Sequence, residues 1–374
     1  MKKTCVLSHA ADLDGCVAAL NTYHALKNKP NLYEINSEDV YFADYADSEA
    51  KLLELVSKYE CLFITDLSWK STSLLDKLPK DEKFFVFLDH HKDSKAVFDA
   101  FRSDFPNVWA ELSDDDSKCA ADMAFELFDS KWSEEINKFV PNKMQPYMSE
   151  NDWIKECLRT LTRYTHSRDL WIRDEPMGEL LTEVIAVKDV PFLFNYFVDY
   201  FDNAFGPGYD YNGEVLFSES YDFYTPKEFK CYHDECERTN EISYAMAGRT
   251  RLSGELKLPG DTSVWLHSMY SFGPISEIGA TVVEQYKLGW AVMVNLERGS
   301  LSIRSNKETF ELLGIGANDI AKMYGGGGHT LAAGAPLEID DMRNINSIHN
   351  EIMTVLIKAI PQQLQNKGLL KGVE

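Results

Sequence analysis

The sequence predicts an α/β protein, built as a parallel-sheet amino-terminal domain and a smaller α/β carboxy-terminal domain joined by a helical connection. Three observations predict it. The chain has 374 residues, more than one hydrophobic core usually holds, so two domains are expected. Residues 1 to about 130 alternate short apolar runs with helical patterns, which implies parallel strands linked by crossover helices. Residues from about 256 to 360 open with further strand-like runs and then a helix of small residues, which reads as a second α/β unit.

In chain order, Thr4-Cys5-Val6-Leu7 reads as a first buried strand and Cys16 to Leu26 as the helix after it. Glu49 to Lys58 reads as a second helix, leading to strands at Cys61-Leu62-Phe63-Ile64 and Phe84-Phe85-Val86-Phe87-Leu88. From about 133 to 255 the pattern is helical and aromatic. Trp153, Trp171, Phe192, Phe194, Tyr196, Phe197 and Phe201 are expected to pack between helices, and Phe205-Gly206-Pro207-Gly208-Tyr209 to form a loop. Strands follow at Ser263-Val264-Trp265-Leu266, at 290–295 and at 300–305, then a helix from Gly316 to Met323. There is no internal repeat.

With 38 basic and 60 acidic side chains the formal charge is −22, which opposes nonspecific binding to a long polyanion. A short anionic substrate held by metal ions is compatible with that charge, because divalent cations reverse the local field of carboxylates. No run reaches the about 18–20 apolar residues of a membrane span. Seven scattered cysteines give no disulfide framework, so a cytoplasmic location is expected. Cys231, His233 and Cys236 make only a weak zinc pattern, lacking a second pair.

Chemistry-bearing residues follow the strands. His9, Asp12 and Asp14 lie in the turn after the first strand, Asp66 ends the second, and Asp89-His90-His91 ends the third. In an open parallel sheet, ligands bind outside the carboxyl ends of the strands. Two carboxylates two residues apart face two different cations, and an imidazole completes one sphere. Oxygen ligands with imidazole suit Mn²⁺, Mg²⁺ or Fe²⁺. Asp66 is the natural bridging carboxylate of a two-metal site that binds and activates one water. Taken alone, Asp-x-Asp-Gly is more often a turn than a metal loop, Asp66 reads as a helix cap and His90-His91 as solvated loop residues; three strand ends converging on one edge argue for the metal site.

These motifs resemble the DHH/DHHA1 phosphoesterase family, nearest its oligoribonuclease, or nano-RNase, branch. The resemblance implies domains at 1–185 (DHH, catalytic and metal-binding), 186–255 (helical connection) and 256–374 (DHHA1, substrate-binding across a cleft). It implies that His9, Asp12 and Asp66 hold one Mn²⁺ while Asp14, Asp66 and His90 hold the other. His91 would face the scissile phosphate or orient the nucleophile, and Asp89 would support the histidines. The fourth family motif is matched by His166-Ser167-Arg168-Asp169-Leu170-Trp171, where related sequences often carry aspartate in place of Ser167; Asp169 is the expected ligand, with a neighbouring role as the alternative. The acidic run Asp114-Asp115-Asp116 is expected to begin a helix instead.

The most specific match is Tyr324-Gly325-Gly326-Gly327-Gly328-His329. Gly326, Gly327 and Gly328 would let backbone N–H groups approach a phosphate, with His329 adding a charge-assisted bond and Arg304 a bidentate contact. The expectation is a metal-dependent phosphodiesterase that degrades short RNA or other oligonucleotides to nucleoside monophosphates through a hydroxide bridging two ions. The alternatives are a phosphatase or phosphodiesterase of small nucleotides such as 3′-phosphoadenosine 5′-phosphate or a linear or cyclic dinucleotide, and a catalytically silent nucleotide sensor. Long duplex nucleic acid and membranes are not expected partners; a homodimer is allowed.

Overall fold

The computed structural model describes residues 1–69, 71–80, 82–113, 117–127, 153–203, 216–218, 220–258, 262–271, 275–295, 299–337 and 344–367. Asp114-Asp115-Asp116 and the loop 205–209 lie outside the described residues. The chain divides into two compact units, Met1–Cys236 and Glu237–Glu374.

In the first unit β1 (Lys2–His9) leads into helix α1 (Leu13–Lys27), followed by β2 (Tyr33–Glu34), β3 (Val40–Ala43) and α2 (Tyr45–Val56). β4 (Cys61–Thr65), β5 (Phe84–Asp89), α3 (Lys95–Asp104), β6 (Val108–Leu112) and α4 (Ala120–Glu126) complete the α/β part. Helices α5 (Trp153–Asp169), α6 (Pro176–Val187) and α7 (Val190–Asn203) follow. The sheet runs β2-β1-β4-β5-β6, with β3 also on β1, and every pair is parallel. The chain therefore leaves β1 toward one edge and returns through β4 on its other side. The carboxyl ends of β1 and β4 flank the point where strand order reverses, the place where open sheets open a crevice.

Alternation decides which side chains cover each face. Cys5, Leu7, Leu62, Ile64, Phe85 and Phe87 pack with Leu52, Phe98 and Phe101 from α2 and α3. Val6, Phe63, Val86 and Leu88 pack with α1, α4, α5 and α7 on the other face. Phe87 and Phe101 stack at 4.2 Å; truncating Phe87 to alanine would cost about 3–5 kcal/mol, the usual cost of emptying an aromatic site. Helix α1 is buried from Leu13 to Leu26, and its one deep amide, Asn21 Nδ2, donates to Ala121 O and Thr162 Oγ1 at 3.1 and 3.0 Å.

The expected aromatic packing holds for Phe194, Phe197 and Phe201, which are buried in the core shared with α1. It fails for Trp171, which is 39% exposed and carries a positive φ of 61° just beyond α5. That backbone turns the indole out of the helix face whose spacing suggested a core position.

Helix α8 (Lys227–Thr250) contains the boundary between the units. The second unit holds β7 (Leu252–Leu258), β8 (Thr262–Tyr270), α9 (Ile275–Glu284), β9 (Gly289–Asn295), β10 (Ser300–Ser305), α10 (Lys307–Leu313), α11 (Ala317–Lys322), β11 (Gly327–Gly328), β12 (Ala332–Pro336) and α12 (Ile345–Asn366). Its mixed sheet runs β11-β12-β10-β9-β8-β7, with only β8 and β9 parallel. One face packs Leu266, Trp290, Val292 and Ile303 against Ile348, Ile352 and Leu356 of α12. α9 lies over Ala291 and Met293 on the other.

Candidate metal centre

The first motif is shaped by a steric demand. A Cβ on Gly15 would lie 2.3 Å from His9 O, so glycine is required for α1 to start this close to the end of β1. Asp12 is the N-cap of α1 and accepts from Gly15 N at 3.0 Å through Oδ1. Its other oxygen faces His9 Nδ1 at 2.9 Å. Asp14, in the first turn, accepts from Ala120 N and Ala121 N at 2.8 and 2.7 Å, so the start of α4 sets the orientation of its carboxylate. That restraint has no local sequence signal.

Asp66 follows β4 with φ of 55°, a left-handed conformation uncommon for a side chain other than Gly, Asn or Asp. Its amide donates to Leu88 O at 2.9 Å, anchoring the bend to β5. The bend sends Oδ2 to 3.4 Å from His9 Nδ1 and Oδ1 to 3.6 Å from His90 Nε2. Asp66 alone resembled a helix cap; here it is a buried hinge between two donor groups.

His90 Nε2 also faces Asp14 Oδ2 at 3.6 Å and Asp169 Oδ2 at 3.7 Å. Asp169 is the last residue of α5. Ser167, its rival in the fourth motif, serves the loop instead. Its Oγ donates to Asp174 Oδ1 at 2.6 Å and accepts from Asp174 N and Glu175 N, while its carbonyl accepts from Ile172 N and Arg173 N. The donor atoms thus form two overlapping groups, His9/Asp12/Asp66 and Asp14/Asp66/His90/Asp169. Cys119, the residue before α4, lies with Asp14 and Asp169. Burial and the nearby aspartates raise its thiol pKa well above the usual range.

Burial, then the charges of Asp66 and Asp169, hold the Asp14 carboxyl well above the usual carboxylate range. Burial also pushes Asp169 up to about 6. For the imidazoles, burial acts downward but the facing aspartates outweigh it, holding His9 and His90 up to about 11. Asp66 Oδ2 and Asp169 Oδ2 are buried without a hydrogen bond. Four carboxylates and two imidazoles at these separations suit a pair of hard divalent cations, whose donor atoms sit about 3 Å apart when each is about 2.1 Å from the ion.

His91 is held from the side. Its Nδ1 lies 2.7 Å from Asp89 Oδ1 and 3.9 Å from Asp66 Oδ1. Asp89 is fully buried and its second oxygen accepts from Ser94 Oγ at 2.7 Å. Despite burial, these partners lower its carboxyl pKa. The Cys231, His233 and Cys236 pattern gathers no metal-type cluster among the described residues; all three lie on α8, and His233 Nδ1 pairs with Glu183 at 2.6 Å.

In the second unit, Arg304 donates through Nη2 to Ser276 Oγ at 2.6 Å and through Nη1 to Ile303 O at 2.9 Å. The glycine run has structural duties as well. Gly325 N and Gly326 N bond to Lys322 O and Ala321 O, closing the end of α11. Gly327 and Gly328 pair with Gly334 and Ala333 of β12. A Cβ on Gly326 would meet Gly334 O at 2.1 Å, so close strand approach already demands that glycine. His329 is exposed at the end of this hairpin.

An open parallel sheet thus carries an aspartate–histidine cluster where its strand order reverses. Residues 3–149 match the profile of the DHH family, N-terminal domain; the amino-terminal domain is a DHH-family domain. A DHH-domain structure described as a member of the s1p family of ribosomal proteins is similar at 10% identity and a TM-score of 0.53, covering 94% of this chain and 86% of that chain. An exopolyphosphatase-related protein from Bacteroides fragilis is similar at 12% identity and a TM-score of 0.50, covering 97% and 93%. RecJ from Thermus thermophilus in complex with Mn²⁺ is similar at 12% identity and a TM-score of 0.53, covering 96% of this chain and 52% of that longer one. At these identities the likeness is one of fold. No curated protein matches the chain. Among the described residues no helix is long and apolar enough to cross a membrane.

Proposed function

We propose that the protein is a metal-dependent phosphodiesterase that hydrolyses short oligonucleotides to nucleoside monophosphates. The observation that carries this reading is the Asp66 carboxylate, whose two oxygens face two separate histidine-containing donor groups. His9, Asp12 and Asp66 would hold one divalent ion, most simply Mn²⁺, with Mg²⁺ or Fe²⁺ as alternatives; Asp14, Asp66, His90 and Asp169 would hold the second. Two such ions, when bound, would supply Lewis-acid activation of a water and offset the charge that develops on the phosphoryl oxygens.

The chain's own residues then have distinct tasks. Asp89 keeps the His91 proton on Nδ1 and the ring in place for the reacting phosphate. Arg304 and His329 are the candidate phosphate-binding residues of the second unit, since a guanidinium and an imidazole both donate to phosphate oxygens. The charge of −22 favours short substrates, which need few cationic contacts. The exopolyphosphatase-related structure, named for phosphate-chain chemistry, and RecJ, solved with Mn²⁺, support the general reaction and leave substrate choice to experiment.

A Mn²⁺-dependent time course on 5′-labelled RNA and DNA, from dinucleotides to long strands, tests the reading, with 3′-phosphoadenosine 5′-phosphate and cyclic di-AMP in parallel. Fastest release of mononucleotide from the shortest oligomers is the expected result. Turnover of only the parallel substrates would replace it with a small-nucleotide phosphoesterase; no turnover with nucleotide retained would leave a sensor.

A further inference from the structure

We propose that Tyr45 is a positioning residue of this centre, fixing the His91 ring from the Nε2 side as Asp89 fixes it from the Nδ1 side. The inference rests on the phosphodiesterase reading for its catalytic consequence, while the contact itself is a property of the fold.

Strand register brings Tyr45 to the site. β3 runs parallel to β1 with Ala43 level with His9, and Ala10 N donates to Ala43 O at 3.2 Å. Two residues later Tyr45 opens α2, whose first turn is held by Asp47 N to Asp44 O and by Ser48 Oγ to Tyr45 O, both at 3.0 Å. The ring of Tyr45 lies over His9, with centroids 4.4 Å apart and planes tilted by 36°. Its edge-on partner is His91, at 5.7 Å and 82°. Its hydroxyl lies 3.1 Å from His91 Nε2.

The other side of the imidazole places its first proton. The Asp89 carboxylate only accepts, so Nδ1 of His91 carries the proton that faces it at 2.7 Å. Nε2 accepts from the Tyr45 hydroxyl in the neutral ring and donates to its oxygen in the protonated one, so the contact holds in either state. Contacts on opposite ring nitrogens hold the plane of His91 from both sides. Tyr45 is 40% exposed, so a substrate oxygen arriving at Nε2 would meet the same hydroxyl.

Tyr45→Phe keeps the ring over His9 and removes only the hydroxyl. Long-range ¹H–¹⁵N spectra of the imidazoles, recorded on the metal-free and the Mg²⁺-loaded full chain, report the state of His91. In wild type its Nε2 resonance should show a hydrogen bond; in Tyr45→Phe it should move toward an unbonded ring nitrogen. Turnover of bis(p-nitrophenyl) phosphate and of a 5′-labelled RNA dinucleotide should fall about 10- to 100-fold in kcat, the usual effect of removing a group that orients a site residue. KM and metal stoichiometry should be unchanged, and Tyr45→Ala should in addition weaken Mn²⁺ binding through the lost ring over His9. An unmoved Nε2 resonance overturns the proposal, and so does a moved resonance with unchanged kcat, since the bond would then be structural only. A wild type inactive on both substrates would overturn the hydrolase reading instead, and the Nε2 resonance would by itself decide the contact.

Discussion

Asp14 accepts a 2.7 Å hydrogen bond from the backbone N–H of Ala121, 107 residues further along the chain. Ala120 N takes the other oxygen at 2.8 Å, and that oxygen still faces His90 at 3.6 Å. A helix start that packs beside α1 on the same face of the sheet thus aims a carboxylate at the candidate metal centre.

Asp14→Asn is therefore expected to damage both fold and site. An amide has one acceptor oxygen, so one of the two N–H donors loses its partner and faces an NH₂ group. The cost should be about 1–3 kcal/mol, typical of an unsatisfied buried donor, and one divalent ion should be lost. Urea unfolding and metal titration check this; a variant of wild-type stability with full metal content would contradict the assignment.

Asp66→Asn should leave the backbone intact, because asparagine tolerates the positive φ that Asp66 adopts. It should nevertheless reduce turnover by at least about a thousandfold, since the carboxylate is the one residue shared by both donor groups. Unchanged turnover in the folded variant would sink the two-metal reading.

Metal uptake should release protons near neutral pH. In the metal-free protein His9 and His90 are held protonated, up to about 11, and Asp169 up to about 6. The sign follows from competition: a cation needs the neutral imidazole and the ionised carboxylate, so affinity rises with pH. The same raised values stabilise the metal-free fold fully below each group's unfolded pKa, and that stability is lost as pH rises through the folded one. Calorimetry of Mn²⁺ binding in buffers of different ionisation enthalpy should show proton release; buffer-independent heats would refute it.

Ser167→Ala and Asp169→Ala should separate loop from ligand. Ser167 Oγ bonds to Asp174 and Glu175 backbone and side-chain groups, so its loss should destabilise the fold by about 1–2 kcal/mol while metal stoichiometry holds. Asp169→Ala should instead remove metal with little loss of stability. The reverse pattern, read by unfolding and metal analysis, would move the ligand to position 167.

Acid should weaken the second unit. Burial pushes His267 down to about 4 and also lowers His349, and His267 Nε2 is buried without a hydrogen bond. Both rings are neutral in the fold, so their contribution is complete above the unfolded value of about 6.5 and is lost as pH falls toward about 4. Urea midpoints followed by tryptophan fluorescence should fall over that window, and His267→Phe should flatten the slope. A wild-type midpoint independent of pH there would count against it.

Much of this protein is legible without coordinates. The apolar runs before His9, Asp66 and Asp89 read as strands and are strands β1, β4 and β5, because buried parallel strands need continuous apolar runs. Short edge strands such as β2 and β3 carry no comparable signal, and with β3 unseen Tyr45 had no reason to be singled out. Trp171 misled because helical spacing says nothing of the positive φ that follows Asp169.

The sequence by itself determined the class: which residues offer oxygen and imidazole donors, that they follow strands, and that Gly15 stands where a helix must start close to a strand. Only the tertiary structure decided how those donors share space. The orientation of Asp14 by Ala120 and Ala121, the two-way reach of Asp66, the choice of Asp169 over Ser167 as the residue facing His90, and the place of Tyr45 beside His91 all depend on contacts between segments distant in sequence. Periodicity and motif spacing report local geometry, whereas those contacts arise from strand order and helix packing.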